Sequence, residues 1–454
     1  MLKPIKVYKK NPRLIAINIW ILLFYKNRAL DKVLNTSFDF NKLETRDKSF
    51  LYLLLNTTMR HHKHAETIYN QYSNFGIDKK NRLLNSVLTM ATVEIIWLKI
   101  PPYAVIDEAV KYSKNLIGEK QAKLVNAILR KIALNIDECL KSSSDNTRNL
   151  PEWLLNSWTT SYGQENVREI VNIAMSRPPL DIVVSNRITK TQFEELKSEV
   201  QGTEIFPNVI RCMFKNPVET IPYYSDGVWW IQDAASQIPC NLLLSKLKIY
   251  FSGKKNSIKV LDMCSAPGGK TAQLLDNGID VTSIEKSKFR SKEFLTNMKR
   301  LSFNPKLINV DAELYKPDFD YDVILIDAPC SATGTIRKNA DIFIKAPPQN
   351  LNDFTSLQDK ILKNASKILN KNGLIMYVTC SLQKIEGERR IEKFLHENKN
   401  FSIIPFLDDE YPQISRCITE EGFIRILPNH FNFNDKNVMD GSDGFFIALL
   451  KMEK

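Results

Sequence analysis

From residue 257 onward, short apolar runs alternate with helix-forming stretches. "SIKVLDMC" precedes the helical "KTAQLLDNG", and "DVTSIEKS" runs into "SKFRSKEFLTNMKRL". Two further apolar runs follow, "PKLINVDA" and "YDVILIDAP"; then "FTSLQDKILKNASKILN" reads as helix, "GLIMYVTCS" as strand and "EGERRIEKFLHEN" as helix again. Parallel strands need a long crossover between them, and amphipathic helices of this length supply it. The rhythm predicts a doubly wound, mostly parallel α/β sheet, with "FIRILP" and "GFFIALLK" as antiparallel edge strands. In such sheets ligands bind where the strands end, at the switch point.

The unusual residues of this region all fall at predicted strand ends. "DMCSAPGGKT" follows the first strand; its Gly268 and Gly269 allow close backbone approach to a ligand before a helix begins. The loop is neither GxGxxG nor a GxxxxGK[ST] phosphate loop, which weakens a nicotinamide or nucleotide-phosphate reading. Glu285 ends the second strand, about twenty residues on, where a carboxylate suits a ribose diol. Asp311 ends the third, placed to face an adenine amino group. Each acid alone reads as a helix cap. Together with the glycine loop they favour an adenosine-bearing cofactor, and S-adenosylmethionine fits.

"DAPCSATG" and "YVTCS" then add Asp327, Cys330 and Cys380 at two more strand ends, the cysteines fifty positions apart. A thiolate adding to C6 of a pyrimidine makes C5 nucleophilic enough to take a methyl group. An acid at N3 assists, a task for Asp327. Expulsion of the thiol must follow, so a second thiol is useful. Lys270 and Arg337 are candidates for the positive surroundings that favour thiolate. Either cysteine alone reads best as a packed core thiol, and which one attacks is not decided by this chemistry.

The preceding chain is different. Residues 12–135 are helical nearly throughout by their three- and four-residue apolar spacing. The apolar "LIAINIWILLFY" at 14–25 is too short to span a bilayer and reads as a buried amphipathic helix. "KSSSDNTRN" at 141–149 has the composition of a linker, and the region to about 250 reads as a small α+β module. A formal net charge of +12 points to a polyanionic partner such as RNA. Seven irregularly spaced cysteines without a CxxC pair fit a reducing compartment. "HHKH" at 61–64 reads as a solvated helix face rather than a metal site, and no metal is expected.

"DAPCSATG", "TCS" and "CSAPGGKT", in this order and spacing, resemble the Sun family of RNA cytosine-C5 methyltransferases. "RLIAINIW", "DKSFLYLLLNTTMR", "IPPYAVIDEAV" and "LVNAILRK" resemble the NusB-like RNA-binding domain of that family's bacterial B-type 16S rRNA branch. "LPEWLLNSW", "RPPLDIVVSNR" and "GVWWIQDAASQ" are similar to its middle portion, so the likeness covers nearly the whole chain. It implies an all-α NusB-like domain over 1–140, an α+β module over 150–250 and a Rossmann-like S-adenosylmethionine-dependent methyltransferase domain over 251–454. It also implies Cys380 as nucleophile, Cys330 as the cysteine that helps release product, and Asp327 as the acid on the base, with Lys270 near the nucleophile. Cys264, Ser265, Ala266, Pro267, Gly268, Gly269 and Lys270, with Glu285, Asp311 and Asp327, match the cofactor contacts. The implied substrate is a cytosine of 16S rRNA, free or in a partly assembled subunit, in the cytoplasm, with no membrane and no obligate protein partner. A tRNA substrate and a non-catalytic ribosome-assembly factor are the alternatives. Lys384 and Gly387 depart from the family's Pro and Asn after the nucleophile, and Arg337, Lys338 and Asp341 lie in the loop expected to meet RNA.

Overall fold

A computed structural model of the chain describes residues 11–28, 30–214, 216–252, 258–347, 351–409, 412–433 and 439–453. The described residues form two compact units. One comprises residues 11–176 with 338–347; the other comprises 177–337 and 351–453.

The first unit is helical: α1 (Pro12–Phe24), α2 (Leu30–Thr36), α3 (Phe38–Asn41), α4 (Thr45–Gln71), α5 (Arg82–Ile96), α6 (Pro102–Leu116), α7 (Glu119–Leu134), α8 (Ile136–Ser142), α9 (Glu152–Tyr162) and α10 (Gln164–Ala174). The apolar stretch expected to be a buried amphipathic helix is α1, capped by the Asn11 side chain. It is buried nearly all round, not along one stripe, because α2, α3, α4 and α5 all pack against it. No described helix is long and apolar enough to cross a membrane. The linker-like segment at 141–149 is instead the end of α8 and a 3-10 turn whose Asn149 is fully buried against His64. Arg60 of α4 donates to the carbonyl of Ala174 at 2.8 Å and thereby holds the end of α10.

The "HHKH" histidines are not solvated. His61, His62 and His64 are all buried: His61 stacks on Trp97 at 4.2 Å, and Nδ1 of His62 donates to the Met59 carbonyl. They face inward because α4 is packed on several sides. Burial pushes His61 and His62 down to about 3. Residues 338–347, far along the chain, complete this unit. Ala340, Ile342 and Phe343 are buried, and the Lys345 carbonyl accepts from the Trp153 indole at 2.9 Å.

The second unit holds two sheets. Strands β1 (Leu180–Val184), β2 (Thr203–Phe206), β3 (Val209–Cys212) and β4 (Trp229–Ile231) form an antiparallel sheet in the order β2-β3-β1-β4, backed by α11 (Lys190–Glu199). The larger sheet contains β5 (Val260–Met263), β6 (Val281–Ile284), β7 (Lys306–Ile308), β8 (Tyr321–Asp327) and β9 (Leu369–Thr379), with β10 (Phe401–Ile403), β11 (Ile424–Ile426) and β12 (Phe445–Met452). Its helices are α12 (Ala234–Tyr250), α13 (Gly269–Asp276), α14 (Lys288–Arg300), α15 (Leu351–Lys367) and α16 (Glu388–Glu397). The order is β10-β12-β9-β8-β5-β6-β7, with β11 paired to β12; β5 to β9 are parallel and the last three antiparallel.

Alternate residues of β8 show why this sheet is covered on both faces. Val323 and Leu325 join the core under α12, whereas Ile324 and Ile326 join the core under α15. The final apolar run is not an edge. β12 lies inside the sheet between β9 and β10, because it pairs with β9 over six residues, Phe446 to Lys451.

Candidate active site

After β5 the chain runs outward to β6 and β7, then returns so that β8 lies on β5's other side. This is the switch point, and four strands end their apolar runs beside it. The Cys264–Lys270 loop follows β5, Glu285 follows β6, Asp311 follows β7 and Asp327 ends β8. In the loop Cys264 has φ +62°, Ser265 donates its N–H to the Ile284 carbonyl at 3.1 Å, and Gly268 starts α13 from the left-handed region at φ +110°. Arg290 donates to the Ala266 carbonyl, and Asn297 donates to that of Pro267 at 2.9 Å. The loop is thus clamped from α14.

The acids have distinct surroundings. One oxygen of buried Glu285 accepts from the Ser287 N–H at 2.8 Å; the other has no hydrogen-bond partner, with the Arg290 guanidinium 3.5 Å away. A buried acceptor left without a donor is costly, and a ribose hydroxyl would satisfy it. The residues present therefore fit an adenosine-bearing cofactor. Asp311 forms an ion pair with Lys286 and caps the turn after β7. Inside β5, Asp262 accepts from the Thr271 hydroxyl at 2.5 Å, and burial pushes its carboxyl up to about 7.

Lys270 is buried and donates to Asp327 at 2.7 Å. Burial opposes its charge, but the adjacent carboxylate outweighs that and holds the ammonium above its ordinary range. Its Nζ lies 5.5 Å over the Phe445 ring. Arg337 is not a partner for the thiols. It is turned into a fully buried ion pair with Asp233 at 2.9 Å, with Asp443 at 3.9 Å. The following segment belongs to the helical unit, with Ala340, Ile342 and Phe343 buried and Lys338 exposed.

The two cysteines meet. β8 and β9 are parallel neighbours with Asp327 opposite Val378, so Cys330 and Cys380 leave adjacent strand mouths, and their sulfurs are 3.5 Å apart. Hydrogen bonding with Cys380, burial and the negative charge of Glu386 hold the Cys330 thiol protonated. Gly334, last residue of "DAPCSATG", donates its N–H to the Cys380 carbonyl at 2.9 Å and accepts from Gly444 at 2.8 Å. A β-carbon there would lie 2.1 Å from the Gly444 oxygen, so three loops meet at a point that only glycine permits.

Several residues of the site were not anticipated. Glu386 is fully buried and accepts from the Ser331 N–H at 2.9 Å, from the Ser331 and Ser381 hydroxyls at 2.5 Å, and from Gln358 at 3.2 Å. Arg425 donates to the Ser381 carbonyl at 2.6 Å while paired with Glu388. Gly387, one of the two departures, lies under that guanidinium, where a β-carbon would approach to 2.5 Å. The one visible signal was that a serine follows each cysteine. A Cys–His pair does occur elsewhere: Cys417 is 3.2 Å from Nδ1 of His430. Burial holds the thiol up, at about 12, and the imidazole down, at about 4, so it is a neutral structural pair.

A doubly wound sheet with a glycine-rich loop and a partly unsatisfied strand-end carboxylate at its switch point defines a Rossmann-like domain suited to an adenosine-bearing cofactor. Residues 250–451 match the family described as 16S rRNA methyltransferase RsmB/F, and residues 10–134 match the NusB family. Residues 250–451 are thus similar to the RsmB/F methyltransferases and residues 10–134 to NusB domains, and the chain is an S-adenosylmethionine-dependent RNA (cytosine-C5)-methyltransferase. It is 28% identical over 442 residues to ribosomal RNA small subunit methyltransferase B of Photorhabdus laumondii, covering 93% of this chain and 96% of that protein. Against the protein of the same name from Pasteurella multocida it is 27% identical, with 90% of each chain covered. Among solved structures, PH0851 superposes with a TM-score of 0.70 at 20% identity over the whole of both chains. NSun6 from Pyrococcus horikoshii, solved with SFG, gives 0.54 at 19% identity over 67% of this chain and 99% of that one. At these identities the two structures establish the shared fold.

Proposed function

We propose that the enzyme methylates C5 of one specific cytosine in 16S rRNA through a covalent bond between Cys380 and C6. The observation that carries this reading is the pair of thiols 3.5 Å apart at neighbouring strand mouths, beside the Lys270–Asp327 pair. The Cys380 thiolate attacks C6, and the displaced electron pair moves toward C5 while N3 takes a proton through Asp327 from the Lys270 side. S-adenosylmethionine, when bound along Cys264–Lys270 and Glu285, supplies the methyl group that C5 then takes. Release requires C5 to give its proton to a solvent base, so that the C5–H bonding pair re-forms the C5–C6 double bond, and N3 to return its proton to Asp327. The C6–sulfur pair returns to Cys380, and the protonated Cys330 thiol donates a hydrogen bond to that sulfur as it leaves.

The target base must leave its stack to be attacked from its face, which calls for a loop or a flipped nucleotide. Residues 1–140 serve RNA binding in this reading, 150–250 form a connecting module and 251–454 perform catalysis, in keeping with the two family matches. The substrate is rRNA, free or in a partly assembled small subunit, in the cytoplasm and with no obligate protein partner. The names of the curated relatives support rRNA over tRNA. Bisulfite sequencing of total rRNA and tRNA from cells with and without the protein tests this. One protected 16S cytosine should disappear, and return with wild type but not with Cys380→Ser. Protection lost in tRNA would move the substrate, and no loss in either RNA would overturn the methylation reading.

A further inference from the structure

The geometry points to Glu386 as the residue that sets the two catalytic cysteines against one another: a buried carboxylate staple between the loop carrying Cys330 and the loop carrying Cys380. This deepens the cytosine reading above and rests on its assignment of the two thiols.

The connections are specific. Ser331 directly follows Cys330, and Ser381 directly follows Cys380. Both hydroxyls donate to the same Glu386 oxygen at 2.5 Å, and they lie 3.1 Å from each other. The second oxygen takes the Ser331 N–H at 2.9 Å and the Gln358 amide at 3.2 Å; that amide nitrogen also donates to the Pro329 carbonyl at 2.9 Å. Residues 329, 331 and 381 are therefore tied to one side chain that itself follows β9. The backbone is tied as well, because the Tyr377 hydroxyl donates to the Glu386 carbonyl at 2.9 Å. A fully buried carboxylate with these donors has little freedom to move. Its position fixes each cysteine's backbone one residue away, and so the distance between two sulfurs that must act in sequence on one base.

The charge matters in addition to the hydrogen bonds. Glu386 is among the groups that keep the Cys330 thiol protonated. A glutamine would keep the size and one acceptor but lose the charge and leave two hydroxyl donors competing. Glu386 touches neither base nor cofactor in this scheme; it is a positioning residue.

The test compares wild type with Glu386→Gln in two assays. In the first, the folded protein is treated with diamide, which takes two hydrogens from a pair of thiols to form a disulfide and is itself reduced to the hydrazine. Peptide mass spectrometry follows the Cys330–Cys380 crosslink. Compared at matched thiolate content, set from the pH dependence of each protein's diamide reaction, the variant should form it about tenfold more slowly. In the second, single-turnover methylation at saturating RNA and S-adenosylmethionine should fall by about tenfold with RNA KM changed by less than about twofold. The alkaline limb of its pH profile should move to lower pH as Cys330 loses its proton more readily. Equal crosslinking rates together with methylation within about threefold of wild type would overturn the staple. Should Glu386→Gln not fold, Ser331→Ala with Ser381→Ala decides, with the same two expectations and the same overturning result. A wild type that methylates no cytosine would overturn the cytosine reading alone, because the crosslinking assay still judges the staple.

Discussion

A thiol held protonated 3.5 Å from its neighbour is suited to help a sulfur leave, and poorly suited to attack. Cys330→Ala should therefore slow release more than attack. A protein–RNA adduct stable on a denaturing gel should accumulate above the wild-type level, whereas Cys380→Ser should show neither adduct nor product. Gly334 carries a different kind of constraint. Alanine there must push apart the backbones at Gly444 and Cys380, an overpacking worth about 1–3 kcal/mol. A drop of several degrees in melting temperature and loss of methylation, with a disordered Cys380 loop by hydrogen exchange, is the expected result for Gly334→Ala. Both cysteines were legible in the sequence because each follows an apolar run that can only be a strand. Glu386 was not: its donors come from residues 331, 358 and 381, and nothing local to "KIEGE" marks it as their meeting point.

Among elements, α4 carries the clearest pH dependence. His61 and His62 refuse protons down to about pH 3 while folded, whereas an unfolded chain takes them up near 6.5. Over that window the unfolded state holds more protons, so the stability of the helical unit rises with pH and is lost as pH falls below 6.5. Each histidine contributes up to about 1.4 kcal/mol per pH unit. His61→Phe keeps a ring against Trp97 and removes a buried Nδ1 that has no hydrogen-bond partner. Its melting temperature should vary less between pH 4 and 6.5 by about one proton's worth, measured by thermal melts across pH. The helical periodicity of α4 was plain in the sequence, yet its polar residues were placed on the wrong face. Periodicity locates an apolar stripe; it does not say how many neighbours surround the helix. β12 was misjudged for a related reason, since an apolar run near the end of a chain carries no mark of whether it closes a sheet or inserts into it.

For the whole molecule, an excess of twelve positive charges implies that affinity for RNA comes largely from displaced counterions. With about six phosphates engaged, raising salt from roughly 50 to 200 mM should weaken binding by about a thousandfold, read as a straight line in a log–log plot. A flat plot would mean that base and shape contacts dominate. The division of the chain also has a temporal side. The helical unit is finished by residues 338–347, whose Ala340 joins its core with Ile344 packed against it and which lie against α4. On a translating ribosome its first 176 residues emerge on the order of ten seconds before that segment does. The part of the protein made first therefore matures among the last, and an expression fragment ending anywhere before residue 338 should spend its life as bait for chaperones.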